Sequence, residues 1–344
     1  MKVTIKRIAE ILKVNPSTVS RALRGKPGVS EELRNKILRT AEELGYYPDT
    51  RARSLKEGST RTIGILIPDM GNPFFANAVA AMERVLFPMG YSFFLCVTEE
   101  DNEKERINLQ KLLSYNVDGI LAAPVDRIKN IKLYKQIQSK GIPLVFFDRR
   151  IVNLKVPYAV TDNRDGVYKL IDYLKKMGHE SLGIITLHRE SYTGMERLNA
   201  AIERAKELGM EVRENWIKDG KSTQRGAYEA AKELFKERKL PTALFVCNNV
   251  MTLGVMKVLK ELSISVPDSI SLVTFDDSFW NQIFDPPVTC VAQDPMQLGM
   301  IAATMLLNSI KYPDQQEQDG VILKTHFIER YSVKNLLIFT NGEG

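Results

Sequence analysis

The chain predicts two kinds of structure in succession: an all-α headpiece, then an α/β core of two doubly wound lobes. Three observations carry this. Up to Gly45 the sequence holds three short segments with apolar residues at helical spacing and cap signals at their starts. From Thr62 the runs TIGILIP, YSFFLCVT, VDGILAAP, IPLVFFD, SLGIITL, TALFVC and ISLVTFD alternate with helical stretches, the pattern of a parallel sheet covered on both faces. These units are too many for one small sheet and the pattern restarts near Asp162, so the core reads as two similar lobes.

The headpiece comes first. Ile5, Ile8, Ala9 and Leu12 recur at helical spacing, with Thr4 placed to cap the first turn. Val14-Asn15 breaks that pattern. A second helix opens with Asn15 as N-cap and Pro16 at the first position, where its missing N–H costs nothing. Val19, Ala22 and Leu23 form its apolar face, and Ser17, Thr18, Ser20, Arg21 and Arg24 the other. Two short helices joined by a tight turn, the second carrying small polar residues and arginines, describe a helix-turn-helix. Small side chains let the backbone approach base edges, and an arginine can bond guanine bidentately. An ordinary surface hairpin is the alternative. Lys26-Pro27-Gly28-Val29 then forms a loop. Ser30 caps a third helix, EELRNKILRTAEELG, with Leu33, Ile37, Leu38, Ala41 and Leu44 as its buried stripe and Gly45 as its stop. The segment Arg51–Gly58 is too short to hold a helix alone. It reads as a flexible linker, or as a hinge that turns helical on DNA, with Arg53 beside the duplex and Leu55 wedged between base steps.

Charge separates the two parts. Residues 1–58 carry thirteen lysines and arginines against seven acids, a surplus equal to the +6 of the whole chain. A basic module attached to a neutral core is the footprint of a nucleic-acid binder. With 344 residues, 44% of them hydrophobic and 26% charged, the chain has the composition of an ordinary globular protein of two or three domains. The start MKVTIKRIAEILKV lacks an apolar signal region, and no run approaches the roughly 18 apolar residues a membrane helix needs. The expected compartment is the cytoplasm. Cys96, Cys247 and Cys290 are far apart and form no CxxC pair, and His179, His188 and His326 show no metal spacing. No GxSxG or GxGxxG stands in the chain. The expectation is a protein that is no enzyme and uses no metal or cofactor.

Polar residues gather just past the strand ends. Asp148-Arg149 follows VFF, Arg197 lies in a helix after a strand and loop, Asn248-Asn249 follows LFVC, Asp276-Asp277 follows LVTF, and Gln293-Asp294 follows a short run. Asn72, Phe74 and Phe75 follow the first strand. A ligand in such a fold sits at these ends, between the lobes. A sugar needs this mixture of aromatic faces and planar bidentate groups. Helix capping by Asp148, Asp276 and Gln293, and pairing of Arg197 with an acid, is the alternative for each residue taken singly.

These residues carry a resemblance. TIKRIAEILKVNPSTVSRALRGKPGVSEELRNKILRTAEELGYYP is similar to the DNA-binding headpiece of the lac/purine repressor (LacI-type) bacterial transcription factors. ARSL at 52–55 is similar to their hinge helix, and RTIGILIPDMGNPFF at 61–75 to the first strand and ligand loop of their periplasmic-binding-protein-like core. The resemblance implies that Pro16, Ser17 and Arg21 read the major groove and that Leu55 intercalates at the centre of a palindromic operator. Thr4, Thr18, Ser20, Arg24 and Arg53 join the DNA-facing set. Arg24 departs from the family, where an asparagine before the glycine is usual. The resemblance further implies that Asn72, Phe75, Asp148, Arg149, Arg197, Asn248, Asp276 and Gln293 contact a sugar, with Phe74 beside them. The run Phe147-Asp148-Arg149 also resembles the ribose-binding proteins, so a pentose or small polyol is the expected effector. Lys221 stands where an aromatic lid residue is common; it favours an acidic sugar or points to solvent. Asn249 replaces a usual aspartate.

The resulting expectation is a homodimeric repressor on pseudo-palindromic operator DNA, controlled by a small effector and independent of membranes. Its headpiece spans 1–48 and its hinge 49–60. The core N-subdomain takes 61–161 and 292–323, and the C-subdomain 162–291 and 324–344. Induction is expected for a catabolic sugar, while co-repression is equally allowed. A transport receptor and a sugar-modifying enzyme are the rival classes.

Overall fold

The computed structural model describes residues 3–46, 58–313 and 320–337. Met1–Thr60 and Arg61–Gly344 are separate compact units. The first holds α1 (Ile5–Leu12), α2 (Pro16–Leu23) and α3 (Glu31–Glu43). Each begins at the expected cap: Thr4 Oγ1 accepts from the Arg7 amide at 3.3 Å, Asn15 Oδ1 from Ser17 at 3.0 Å, and Ser30 Oγ from Leu33 at 3.4 Å. Ile8, Ala9, Val19, Ala22, Ile37 and Ala41 are the buried residues, a small core of the kind that leaves a domain marginally stable. Leu38, expected in the stripe of α3, is exposed instead. One helical step after Ile37 turns it about 100° off the packed face.

The second unit holds two six-stranded sheets. The first has the order β11-β5-β4-β3-β1-β2, from β1 (Thr62–Ile67), β2 (Ser92–Val97), β3 (Gly119–Ala122), β4 (Leu144–Phe147), β5 (Tyr158–Thr161) and β11 (Gly320–Leu323). The second has the order β12-β10-β9-β8-β6-β7, from β6 (Leu182–Thr186), β7 (Ile217–Asp219), β8 (Ala243–Val246), β9 (Ser271–Phe275), β10 (Thr289–Ala292) and β12 (His326–Ile328). Every pairing is parallel except β10 with β12. The chain passes between the sheets after β5, β10 and β11.

Helices cover both faces: α4 (Pro73–Leu86), α5 (Asn102–Ser114), α6 (Ile131–Ser139), α7 (Asn163–Lys176), α8 (Tyr192–Glu207), α9 (Gln224–Leu234), α10 (Asn249–Glu261), α11 (Phe279–Ile283) and α12 (Pro295–Lys311). Alternation along β1 shows why its run carries no polar side chain after Thr62. Ile63, Ile65 and Ile67 pack with Phe75 and Met82 of α4 and Leu306 of α12, while Leu66 packs with Leu109 of α5 and Tyr134 of α6. In the second lobe Trp216, Phe245 and Phe275 anchor one continuous core. Helices α9 and α10 cross closely at Gly254, where a Cβ would stand 2.2 Å from the Gln224 carbonyl oxygen.

Cys247 and Cys290 are buried and Cys96 is half-buried, all as free thiols. Burial pushes the Cys247 and Cys290 thiols up to about 12, so neither is a nucleophile at neutral pH. Among the described residues no helix is long and apolar enough to cross a membrane.

Candidate nucleic-acid interface and effector cleft

In the headpiece, Thr4, Pro16, Ser17, Arg21 and Arg24 are exposed, and Thr18 and Ser20 are half-buried. The apolar side of α2 is spent on the bundle core, so its polar side is left for a partner. Ser17 Oγ donates to Asn15 Oδ1 at 2.8 Å, and Arg24 Nη2 donates to Ser20 Oγ at 2.6 Å. The turn after α2 is made by Gly25 in the left-handed region, φ +64°, so Arg24 at the helix end leaves it intact. Arg34 Nη2 donates to the Lys26 carbonyl at 2.7 Å and braces the following loop. Arg53 and Leu55 lie outside the described residues.

In the core, the two lobes present matching corners. Asp148 directly follows β4 and Asp276 directly follows β9, and both adopt left-handed backbone, φ +59° and +73°. That conformation is unfavourable for a residue with a Cβ, least so for aspartate. Each is held by its amide, Asp148 to the Ala159 carbonyl at 2.9 Å and Asp276 to Val291 at 2.8 Å. Neither is a helix cap. Strained polar residues of this kind cluster at ligand sites.

Both carboxylates are buried. Burial pushes Asp148 up to about 6, against the pull of the Arg149 and Arg197 guanidinium groups. Burial likewise raises Asp276, with Arg197 opposing. Arg149 Nη1 and Nη2 donate to the two Glu100 carboxylate oxygens at 2.7 and 2.6 Å. Burial works against the Arg149 charge, and the Glu100 carboxylate outweighs it. Arg197 Nε donates to Asn163 Oδ1 at 2.7 Å, Nη1 donates to the Cys247 carbonyl at 2.7 Å, and Nη1 stands 3.8 Å from Asp276 Oδ2. The Arg197 guanidinium lies 3.7 Å from the Phe275 ring centroid, stacked on its face. Gln293 Nε2 donates to Asp276 Oδ1.

The structure therefore brings Asp148, Arg149, Arg197, Asp276 and Gln293 into one charged cluster. Phe74, Asn249, Asp276 and Gln293 line a cavity of about 220 Å³ with Phe279 and Pro295. Arg149 Nε stands 3.5 Å from Asp148 Oδ2, so the Arg149 guanidinium faces both Glu100 and Asp148. Three expected residues have other work. Asn248 Oδ1 caps α10 through the Met251 amide at 2.8 Å. Asn72 Oδ1 caps α4 through the Phe74 amide at 3.0 Å. Phe75 packs in the first-lobe core, edge-on to Phe74 with centroids 5.1 Å apart. Lys221 is exposed, in left-handed backbone, with its amide donating to Asp219 Oδ1 at 2.7 Å.

Sequence reasoning missed Glu100, Asn163 and Arg150. Glu100 sits in the charge run Glu99–Glu105, yet it is the half-buried partner of the buried Arg149. Asn163 opens α7, where a polar residue passes as helix-start chemistry. The Arg150 guanidinium lies over Tyr158 of the first lobe at 4.2 Å and over Tyr192 of the second at 5.6 Å. Its adjacency to Asp148-Arg149 was the available signal.

Residues 4–49 match the profile of bacterial regulatory proteins of the lacI family, and residues 171–333 that of a periplasmic binding protein-like domain. The HTH-type transcriptional repressor PurR of Haemophilus influenzae (strain PittEE) is 32% identical over 348 residues, covering 97% of this chain and 99% of its own. The lac repressor dimer bound to operator and the anti-inducer ONPF matches with a TM-score of 0.85 at 22% identity, over 97% of this chain and 100% of that one. A transcriptional regulator CelR–cellobiose complex matches with a TM-score of 0.70 at 26% identity, over 96% and 100%.

Proposed function

The chain belongs to the lacI family of bacterial regulatory proteins and is a ligand-responsive, DNA-binding transcriptional repressor of that type; from this premise we propose that a neutral polyol of pentose size, bound between the core lobes, controls its hold on a pseudo-palindromic operator. The observation that carries the proposal is the pair of buried, left-handed aspartates, Asp148 and Asp276, one from each lobe, with Arg197 between them in charge. Carboxylates accept from neighbouring hydroxyls and guanidinium groups donate to them, so this set can bracket a sugar ring from both sides. A ligand touching both lobes binds the closed arrangement more tightly than the open one, and that difference is what shifts a two-state equilibrium.

The finer assignments go with this reading. Pro16, Ser17 and Arg21 enter the major groove, with Thr4, Thr18, Ser20, Arg24 and Arg53 on neighbouring DNA. Leu55 wedges the minor groove at the dimer centre. Two headpieces of a homodimer then meet half-sites about one helical turn apart. The headpiece is 1–48 and the hinge 49–60, with the core divided into 61–161 plus 292–323 and 162–291 plus 324–344. The exposed position of Lys221 favours its solvent role over an acidic ligand.

A purine base is the second reading, favoured by the relatives named PurR. A thermal-shift screen of the full chain separates the two, because a ligand of the folded state raises its melting temperature. D-ribose and other pentoses are expected to raise it, and hypoxanthine and guanine to leave it unchanged. A shift with the bases alone would replace the polyol reading.

A further inference from the structure

Asn249 opens α10 without capping it, since Asn248 does that through the Met251 amide. The Asn249 side chain is 2% exposed, so each of its polar atoms requires a partner. Oδ1 accepts from the Val250 amide at 2.7 Å. Nδ2 donates one hydrogen to Ser278 Oγ in its own lobe and the other to Asn72 Oδ1 in the first lobe, both at 3.0 Å. The direction of the bond across the lobes is fixed chemically. Asn72 Oδ1 already accepts from the Phe74 amide at 3.0 Å, so it is an acceptor and needs a donor opposite. Turning the Asn249 amide over would set two oxygens face to face.

We propose that Asn249 is a positioning residue that joins the lobes: its amide ties the start of α4, which carries Phe74 and Phe75, to the Asp276–Ser278 corner and draws the cleft shut before an effector enters. Asn249 itself lines the 220 Å³ cavity, as do Pro73 and Phe74, which directly follow Asn72. An aspartate at 249 cannot replace it. A carboxylate has no hydrogen to give, and its charge would be buried against Asn72 Oδ1 and beside Asp276. The consequence rests on the cleft reading above. An effector that meets a largely closed population binds with little affinity lost to closure, so Asn249 sets sensitivity through the closure equilibrium.

The bond is testable with no effector present, so its failure is distinct from a failure of the polyol reading. Hydrogen exchange of the full chain is compared for the native protein, Asn249→Asp and Ser278→Ala. Asn249→Asp is expected to speed exchange across residues 70–78 of the first lobe about tenfold, which corresponds to ~1.4 kcal/mol. Ser278→Ala removes only the bond within the second lobe and is expected to leave 70–78 at the native rate. A purely local role at the start of α10 would alter second-lobe amides alone. Native exchange at 70–78 in a folded Asn249→Asp protein overturns the proposal. If Asn249→Asp does not fold, Asn249→Ala, neutral and smaller, is read by the same criterion.

Discussion

Replacing Asp148 with asparagine is expected to stabilise the core at neutral pH while removing the effector response. Burial lifts the Asp148 carboxyl from 3.8 to about 6 even with Arg149 and Arg197 beside it. The folded state therefore holds its proton more tightly than the unfolded chain does. Below about pH 4 both states are protonated and the group contributes no difference. As pH rises from about 4 to about 6, the unfolded chain releases the proton and the folded chain keeps it, so stability falls. Above about pH 6 the loss is complete and amounts to roughly 3 kcal/mol. Asparagine keeps the shape without the charge. Arg149 retains Glu100 and Arg197 retains Asp276, so neither guanidinium is stranded. Urea unfolding of the full chain, followed between pH 4 and 8, is the assay. The native core transition is expected to weaken across this range. Asp148→Asn is expected to weaken less and to exceed the native protein by roughly 1–3 kcal/mol at pH 7. Asp276, also raised by burial, leaves a residual slope of the same sign. A less stable Asp148→Asn protein at pH 7, or one with the native slope, would mean that burial of the Asp148 charge does not cost the fold stability.

Elsewhere, Arg21→Ala is expected to weaken specific DNA binding by about 1–3 kcal/mol and relax the preference at one base pair; equal loss on specific and random duplexes in an anisotropy titration would exclude base readout. Arg197→Ala is expected to abolish the D-ribose-induced rise in melting temperature while leaving DNA binding by the effector-free protein, and a native-sized rise would remove Arg197 from the cleft. Gly254→Ala places a methyl 2.2 Å from the Gln224 carbonyl and is expected to destabilise the second lobe by about 1–3 kcal/mol through overpacking. An unchanged denaturation midpoint would show that α9 and α10 separate freely.

The headpiece was legible almost residue by residue because its signals are local. Thr4, Asn15 and Ser30 each cap within three positions of themselves, and local hydrogen bonding is what a cap sequence encodes. The central strands were equally plain, since β3, β4, β6, β8 and β9 are buried along their whole length and are therefore mostly apolar on both faces. The six-residue edge strand β2 was legible too, but the short edge strands β7, β11 and β12 were not. The three residues of β7, Ile217–Asp219, are half-buried or exposed and carry no alternation to read. In the cleft, the corners Asp148 and Asp276 were found because strand ends announce themselves. Glu100 and Asn163, the partners of Arg149 and Arg197, lie 49 and 34 residues from them, and no local pattern records a contact across that separation. Asn72 and Asn248 show the opposite limit: their residue types suit a ligand, and the backbone uses their side-chain oxygens as caps.

A small polyol held by both lobes is expected to change the protein's grip on DNA. The direct measurement is the affinity of the full chain for a duplex selected from a random pool, titrated by fluorescence anisotropy with and without saturating D-ribose at fixed salt. Ribose is expected to change the dissociation constant at least tenfold for the native protein and to have no effect on Asp276→Ala, whose effector-free affinity stays native. An affinity that ribose and the other pentoses leave untouched, or one that shifts equally in Asp276→Ala, would contradict control through this cleft.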